Sequence, residues 1–338
     1  MVVIPLEEIV TQIRMAKPET IQLVVVCIVL ATAVLGGWYM VEQKQSEDPM
    51  QDRHLLKRGM QKPVIWIYVN NSDVSARNWQ DFEARSSRVM NLPFLNLCYE
   101  SCVKANNDEY RIEVIGGLSD LALRFGGWDA LPTSLQNPDA VVNEPELNWI
   151  RAAVLAKLGG LWVSPALIWL KPIGKLCKKK VVLFGSDDEV SFVGPGGTGA
   201  PSLRVAWAPI PEHPIWVDWE QKAHARLEKR AGGSEFRRDE MSDAVDAQRL
   251  AITRGEPIEI RPTVELTRKG AAGRRIQCED LLGTGDVLPF DITVDASYVP
   301  IPWPELKERR AFGWFLRMSE DQIMNSDMAV SHLFRMII

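Results

Sequence analysis

Histidine and cysteine are scarce in this chain, four and five among 338 residues. The cysteines, Cys27, Cys98, Cys102, Cys177 and Cys278, are odd in number and form no C-x-x-C pair. That excludes a zinc ribbon and a disulfide-stapled scaffold. Buried free thiols are expected instead, which favours a reducing compartment. A basic excess is missing too: 39 Lys and Arg face 44 Asp and Glu, a net charge of −5. The electrostatic footprint of nucleic-acid binding is therefore absent. No internal repeat is present. The glycine loop at 193–201, VGPGGTGAP, lacks the Lys-Ser/Thr of a phosphate-cradling loop. With 46% hydrophobic and 25% charged residues, the chain is globular in class, one large α/β domain or two average ones.

One long hydrophobic run is present. Residues 21–41 carry no charge over the length of about 20 residues that crosses a bilayer. Trp38 and Tyr39 stand near its end, where an aromatic belt is expected. Glu7 and Glu8 near the start argue against a cleaved signal peptide. Residues 1–20 form a short flank, 42–61 a polar linker, and 62–338 the expected domain, with a nucleotide-binding-type half at 62–175 and a variable half at 176–338. Arg14 and Lys17 precede the run, whereas Lys44, Arg53, Lys57 and Arg58 follow it. Positive-inside reasoning places the large carboxyl-terminal part on the cytoplasmic side. A Golgi or ER enzyme would need it in the lumen.

After the linker a strand–helix rhythm sets in. Residues 63–69, PVIWIYV, are expected as a buried strand. Phe94, Leu97, Cys98 and Cys102 give 93–104 a helical face, and 111–115 reads as a second strand closed by Gly116-Gly117. Over 146–158, Leu147, Ile150, Val154, Leu155 and Leu158 share a stripe, with Arg151 and Lys157 off it. Gly159 suits a helix C-cap, and 161–170 reads as one strand. Strands alternating with helices predict a mainly parallel sheet. Further on, the pattern gives a short strand at 181–184, a Pro- and Trp-rich stretch at 209–219, a polar helix at 234–254, a basic hairpin or loop at 264–273, and an apolar tail at 280–338.

The stretch 147–173 carries the chemistry. Asn148 and Arg151 stand on the helix, and seven residues separate Arg151 from Gly159-Gly160-Leu161-Trp162-Val163, with Lys171-Pro172 beyond. In this the chain resembles the capsular-polysaccharide-synthesis and DXD-sugar-binding glycosyltransferases, whose pattern is S-D-x-x-R, seven residues, then G-G-I-W-L-D-A-D. The segments 62–68, 95–105 and 110–115 resemble the family's opening strand, helix and strand. The resemblance implies a GT-A, nucleotide-diphospho-sugar transferase fold. It breaks where the metal is held: Asn148 replaces the helix Asp, and the two metal-site acids fall on Ser164 and Ala166, with Pro165 between them. Such carboxylates hold Mn²⁺ or Mg²⁺, hard ions that prefer oxygen. The ion neutralises the leaving diphosphate, and its loss slows transfer by roughly 10³-fold or more. A narrower resemblance, over most of 62–335, is to proteins of nucleocytoplasmic large DNA viruses. It lies in 68–71, 76–79, 297–302 and 312–319, and those proteins also replace the metal acids with small or polar residues.

The resemblance, with its departures, implies a membrane-anchored pseudo-glycosyltransferase with no catalytic residue, metal or cofactor. Ser164, Pro165 and Ala166 are then a degenerate DXD, and Tyr68, Asn70, Arg77, Asn148, Arg151, Gly159 and Gly160 a vestigial nucleotide-sugar site. Its partners would be the membrane, through 21–41, and other proteins, such as a viral capsid to which it links the membrane as a minor component. The alternative is a metal-independent transferase using a nucleotide-sugar donor, its diphosphate covered by basic residues; Mn or Mg with a nucleotide-sugar enters only under a transferase reading. A binding module without turnover is a third, which an apolar plug in the pocket would exclude. Other candidates have bland counterparts. Asp187-Asp188-Glu189 is a cation site or a solvated loop, and His213 an acceptor-side base or packing in a Trp-rich turn. Arg77 and Asn78 recognise phosphate or base, or hold the fold; Arg151 braces the sheet by pairing with an acid. The clusters Lys178-Lys179-Lys180, Arg268-Lys269 and Arg274-Arg275 are solvated, or touch anionic lipid or an acidic partner. Trp207, Trp216, Trp219 and Trp303 are interface hot spots or a second small core.

Overall fold

The computed structural model describes residues 62–70, 92–176, 179–185, 201–231, 240–261, 276–285, 288–289, 292 and 296–338. The apolar run 21–41, the linker 42–61, Arg77, Asn78, the acids at 187–189, the glycine loop at 193–200 and the basic stretch 264–273 lie outside the described residues. No helix among the described residues is long and apolar enough to cross a membrane.

Residues from Lys62 onward build a mixed α/β body. Its main sheet has six strands: β1 (Val64–Val69), β2 (Arg111–Gly116), β3 (Gly160–Val163), β5 (Val181–Gly185), β6 (Pro201–Ala208) and β7 (Ile258–Arg261). They lie in the order β2-β1-β3-β6-β5-β7. Pairings β1 with β2, β1 with β3 and β5 with β7 are parallel, and only β6 runs against its neighbours. The expected mainly parallel sheet is present. The alternation of β-branched and aromatic residues splits β1 between the faces, Ile65 and Ile67 to one cluster and Trp66 and Tyr68 to the other.

Helix α1 (Pro93–Asn106) and helix α2 (Gly117–Phe125) flank β2 in the chain, and helix α3 (Glu144–Leu158) leads to β3. Glu146 accepts from the Asn143 amide at 3.0 Å, and Pro145 stands in the first turn, so α3 starts two residues before the predicted point. Gly159 caps it as expected, its N–H on Leu155 O at 3.1 Å. The single-stripe expectation fails for α3. Trp149, Ala152, Ala153 and Arg151 are all buried, while Leu147 and Leu158 are only partly so. The helix lies between the sheet and α4 (Pro214–Ala231), which leaves it no wet face over most of its length.

The second half departs further from the sequence pattern. The Pro- and Trp-rich stretch belongs mostly to α4, where Trp216, Trp219, Ala223 and Leu227 recur at helical spacing and are buried. Strands β6 and β7 were not foreseen; the polar helix is α5 (Glu240–Arg254). The predicted strand 161–170 is two strands in two sheets. Strand β4 (Leu167–Trp169) pairs antiparallel with β8 (Tyr298–Pro300) in a separate two-stranded sheet. The tail adds short helices α6 (Cys278–Leu282), α7 (Trp303–Glu308) and α8 (Glu320–Met324), then α9 (Ala329–Ile337). Three apolar clusters result. One lies between the sheet and α3, α4 and α5; a second lies on the opposite face; a third packs Phe94, Leu97 and Cys98 of α1 against β4, β8 and the tail.

Candidate functional site

The sequence directs attention to β3, a strand of four residues with two glycines at its start and the degenerate motif just past its end. At the amino end, Gly159 and Gly160 have φ of 64° and 90°. A Cβ on Gly160 would stand 2.6 Å from Val64 O, and one on Gly159 2.9 Å from the Pro211 nitrogen. Trp66 Nε1 donates to Gly159 O at 2.7 Å and fixes the turn. Only glycine meets both the left-handed backbone and the close approach.

At the carboxyl end the Ser164 amide donates to Arg204 O at 2.7 Å and prolongs the ladder by one bond. Pro165 has no N–H to continue it. The chain bends, Ala166 O accepts from the Ile301 amide at 2.9 Å, and β4 begins in the other sheet. Ala166 is buried in the cluster that holds Phe94, Cys98, Ile168 and Val299. The crevice beside Ser164 is walled by Leu95, Cys98, Tyr99, Cys102, Leu167 and Trp169, and leaves no room for a water molecule. Its thiols are neutral: burial pushes Cys102 up to about 12, and burial with the adjacent Cys102 pushes Cys98 further up. Cys98, Cys102 and Cys278 are free and buried, as expected.

The sequence resemblance implies Mn²⁺ or Mg²⁺ at this strand end. The residues present do not fit it. Ser164 brings a single neutral oxygen and Ala166 none, and among the described residues no three His, Cys, Asp or Glu side chains converge to hold a metal.

Behind the sheet, Arg151 is buried at 1% exposure. Its Nη2 donates to Glu144 Oε1 at 3.4 Å, and its guanidinium carbon lies 5.7 Å from the centre of the Trp162 ring. Arg151 Nε and Nη1 are buried without a hydrogen-bond partner. Tyr68 stacks on Trp162 with centroids 6.5 Å apart. Tyr68 and Arg151 therefore meet across Trp162. Asn148 turns elsewhere, accepting from Trp219 Nε1 of α4 at 3.3 Å. Gly159 and Gly160 lie at the other end of β3 from Ser164, Asn70 follows β1 half-buried, and Arg77 is outside the described residues. Three contributors had not been foreseen: Glu144, Arg204 and Ile301. Glu144 was findable, two helical turns before Arg151 on the same face; the other two act through their backbones and leave no side-chain signal.

His213 is buried ahead of α4, where its carbonyl accepts from the Trp216 and Val217 amides. Burial lowers its pKa, against the opposing charge of Glu256. Ala208, which closes β6 just before this segment, pairs with Gly160, so His213 belongs to the glycine end of β3. The turn expected around it is the entry of a helix.

The sequence matches no protein-family model and no curated protein. Among solved structures it is similar to PaToxG Glycosyltransferase, at 14% identity and a TM-score of 0.34 over 57% of this chain and 70% of that one. It is also similar to the glycosyltransferase GlyE of Streptococcus pneumoniae TIGR4, at 8% identity and TM-scores of 0.31 and, for the apo form, 0.30. That match spans 60% of this chain and 46% of GlyE. Neither a capsular-polysaccharide nor a viral protein is among these neighbours.

Proposed function

We propose that the chain is a membrane-anchored pseudo-glycosyltransferase, a GT-A-like body kept as a scaffold after its metal chemistry was lost. One observation carries the reading: the segment where the metal acids belong has become a junction between two sheets, with Ala166 buried in an apolar cluster and hydrogen-bonded to Ile301. A body of this kind, tethered through residues 21–41, serves as a structural link between a membrane and a protein shell. A viral capsid is the shell that the narrower sequence resemblance favours. Calorimetric titration with UDP-hexoses and Mn²⁺ tests the loss of chemistry. No heat of binding is the expected result, and micromolar, metal-dependent binding would reverse the reading.

A second reading draws on Arg151, whose Nε and Nη1 have no partner. A guanidinium with unspent donors could cover a diphosphate without a metal. Sugar release from nucleotide-sugars that persists in chelator and disappears in Arg151→Ala would favour this metal-independent transferase.

A further inference from the structure

Strand β2 is an edge of the main sheet and pairs with β1 on its inner side. The Arg111 amide donates to Pro63 O at 2.9 Å, which sets the phase of the parallel ladder. Arg111, Glu113 and Ile115 therefore turn their backbone groups to β1, and Tyr110, Ile112 and Val114 turn theirs outward. Two of the outward groups are engaged within the chain. The Tyr110 amide donates to Asn106 O at 2.9 Å, and Val114 O accepts from Arg124 Nη2 at 3.5 Å. Beyond them the Gly116 amide donates to Asp120 Oδ2 at 3.0 Å and closes the edge. Among the described residues nothing bonds to Tyr110 O, the Ile112 amide, Ile112 O or the Val114 amide. These four groups are symmetric about Ile112. A second copy laid antiparallel on this edge sets Ile112 against Ile112 and Val114 against Tyr110, and every free donor meets a free acceptor.

We propose that β2 is a homodimer seam, along which two copies of this chain pair antiparallel about a two-fold axis at Ile112. The contact is independent of the membrane-anchored reading above. An open edge is a template for any strand, and charge on the edge is a usual guard against such pairing. Here the charges have opposite signs: Arg111 and Glu113 are 3.2 Å apart on one face, with side chains 48% and 28% exposed. In the register centred on Ile112, Arg111 of each copy stands directly opposite Glu113 of the other, so the four charges alternate in sign. Asp108 and Glu109 of one copy approach Arg124 of the other, and Asp120 beside it is already bound to that arginine at 3.3 Å. On the other face the half-buried Ile112 side chains cover each other. Two-fold symmetry makes each of these contacts twice. Centring the pair on Val114 would instead meet an occupied carbonyl and set Arg111 against Gly117. The opposite edge, β7, has Glu259 and Arg261 at the same spacing, but Arg261 is only 21% exposed, with its guanidinium carbon 5.8 Å from the centre of the Phe184 ring.

The test uses the full chain in detergent, carrying one of two tags, with capture of one tagged copy by the other as the readout. Wild type should capture wild type. Arg111→Glu sets like charges opposite each other and should weaken capture of itself about tenfold. Glu113→Arg should do the same. Mixed together, the two variants regain both ion pairs and should capture each other as well as wild type does, a recovery that loss of folding does not produce. A second measurement needs no charge reversal. Copies with Arg111→Cys mixed with copies with Glu113→Cys should form an intermolecular disulfide above the wild-type background, since directly opposite Cα atoms are about 4.5 Å apart. Either cysteine variant alone should not, because its two copies meet diagonally at about 7–8 Å, beyond the reach of a disulfide. Capture that Arg111→Glu leaves unchanged would place any self-association elsewhere and overturn the seam. So would absence of the mixed disulfide, or disulfides equally strong in the unmixed samples.

Discussion

The two ends of β3 match the glycosyltransferase pattern to opposite degrees. The amino end keeps Gly159-Gly160 because the backbone demands it: both φ values are positive, and Val64 O leaves no space for a Cβ on Gly160. The carboxyl end has Ser164 and Ala166 where the pattern has acids, and Ala166 is part of an apolar cluster. A four-residue strand thus separates a packing requirement from a chemical one. In this chain the Gly-Gly-x-Trp half is held by packing, and the other half carries no carboxylate. The lesson extends to Arg151, which persists as a buried brace to Glu144 whether or not it ever meets a donor sugar.

The sharpest way to break this contrast is Gly160→Ala. A Cβ 2.6 Å from a backbone oxygen should destabilise the body by about 4 kcal/mol and lower the melting temperature by roughly 10 °C. A melting point within a degree or two of wild type would remove the packing account of the glycine end. Ala166→Asp comes next, at about 3 kcal/mol, because it places a carboxylate in an apolar cluster. Burial would raise the pKa of that acid above its unfolded value near 3.9. The folded state then holds the proton more tightly, so the loss should vanish at low pH and grow as pH rises through that folded-state value. Denaturant melts across pH check the sign. The same variant combined with Ser164→Asp should gain no affinity for Mn²⁺, and a calorimetric signal for the ion would show that the site had stayed open.

Smaller effects refine the picture. Arg151→Met should cost only about 1 kcal/mol, since the carboxylate left behind, Glu144, is one-third exposed and stays hydrated; Arg151→Ala, which leaves a cavity, should cost several times more. Equal losses in the two variants would show that the charge, rather than the volume, is what holds α3 to Trp162. The smallest effect is expected at the glycine end. Burial holds His213 below its ordinary pKa, so the unfolded chain binds the extra proton first, and stability should decline as pH falls through about 6.5. His213→Gln should flatten that decline, and an unchanged slope would assign it to other groups.

Much of the first half was legible because local signals coincide with tertiary demands. The run 63–69 is continuous in β-branched and aromatic residues, and β1 is buried on both faces. Pro93 and Gly159 punctuate helices where capping chemistry needs them. The second half was harder to read. Pro209, Pro211 and Pro214 masked a helix whose Trp216, Trp219, Ala223 and Leu227 repeat at helical spacing. In β6, a register shift between Leu183 and Phe184 of its partner strand disturbs the alternation. At the site, Tyr68 and Arg151 meet at Trp162, whereas Asn148 was drawn to Trp219 by a helix the sequence reading had not placed.

The sequence by itself determined that β3 is preceded by a glycine turn and that its far end lacks carboxylates, since both are properties of the residues present. It also determined a strand–helix order that produces a mainly parallel sheet. Only the tertiary structure decided that Ser164–Ala166 is where the chain leaves one sheet for another, and that Arg151 lies in the interior. Both depend on partners far along the chain: Ile301 and the carboxyl-terminal cluster for the first, α4 closing over α3 for the second. Local spacing cannot report which distant segment will cover a face, and that covering is what makes Ala166 part of the core.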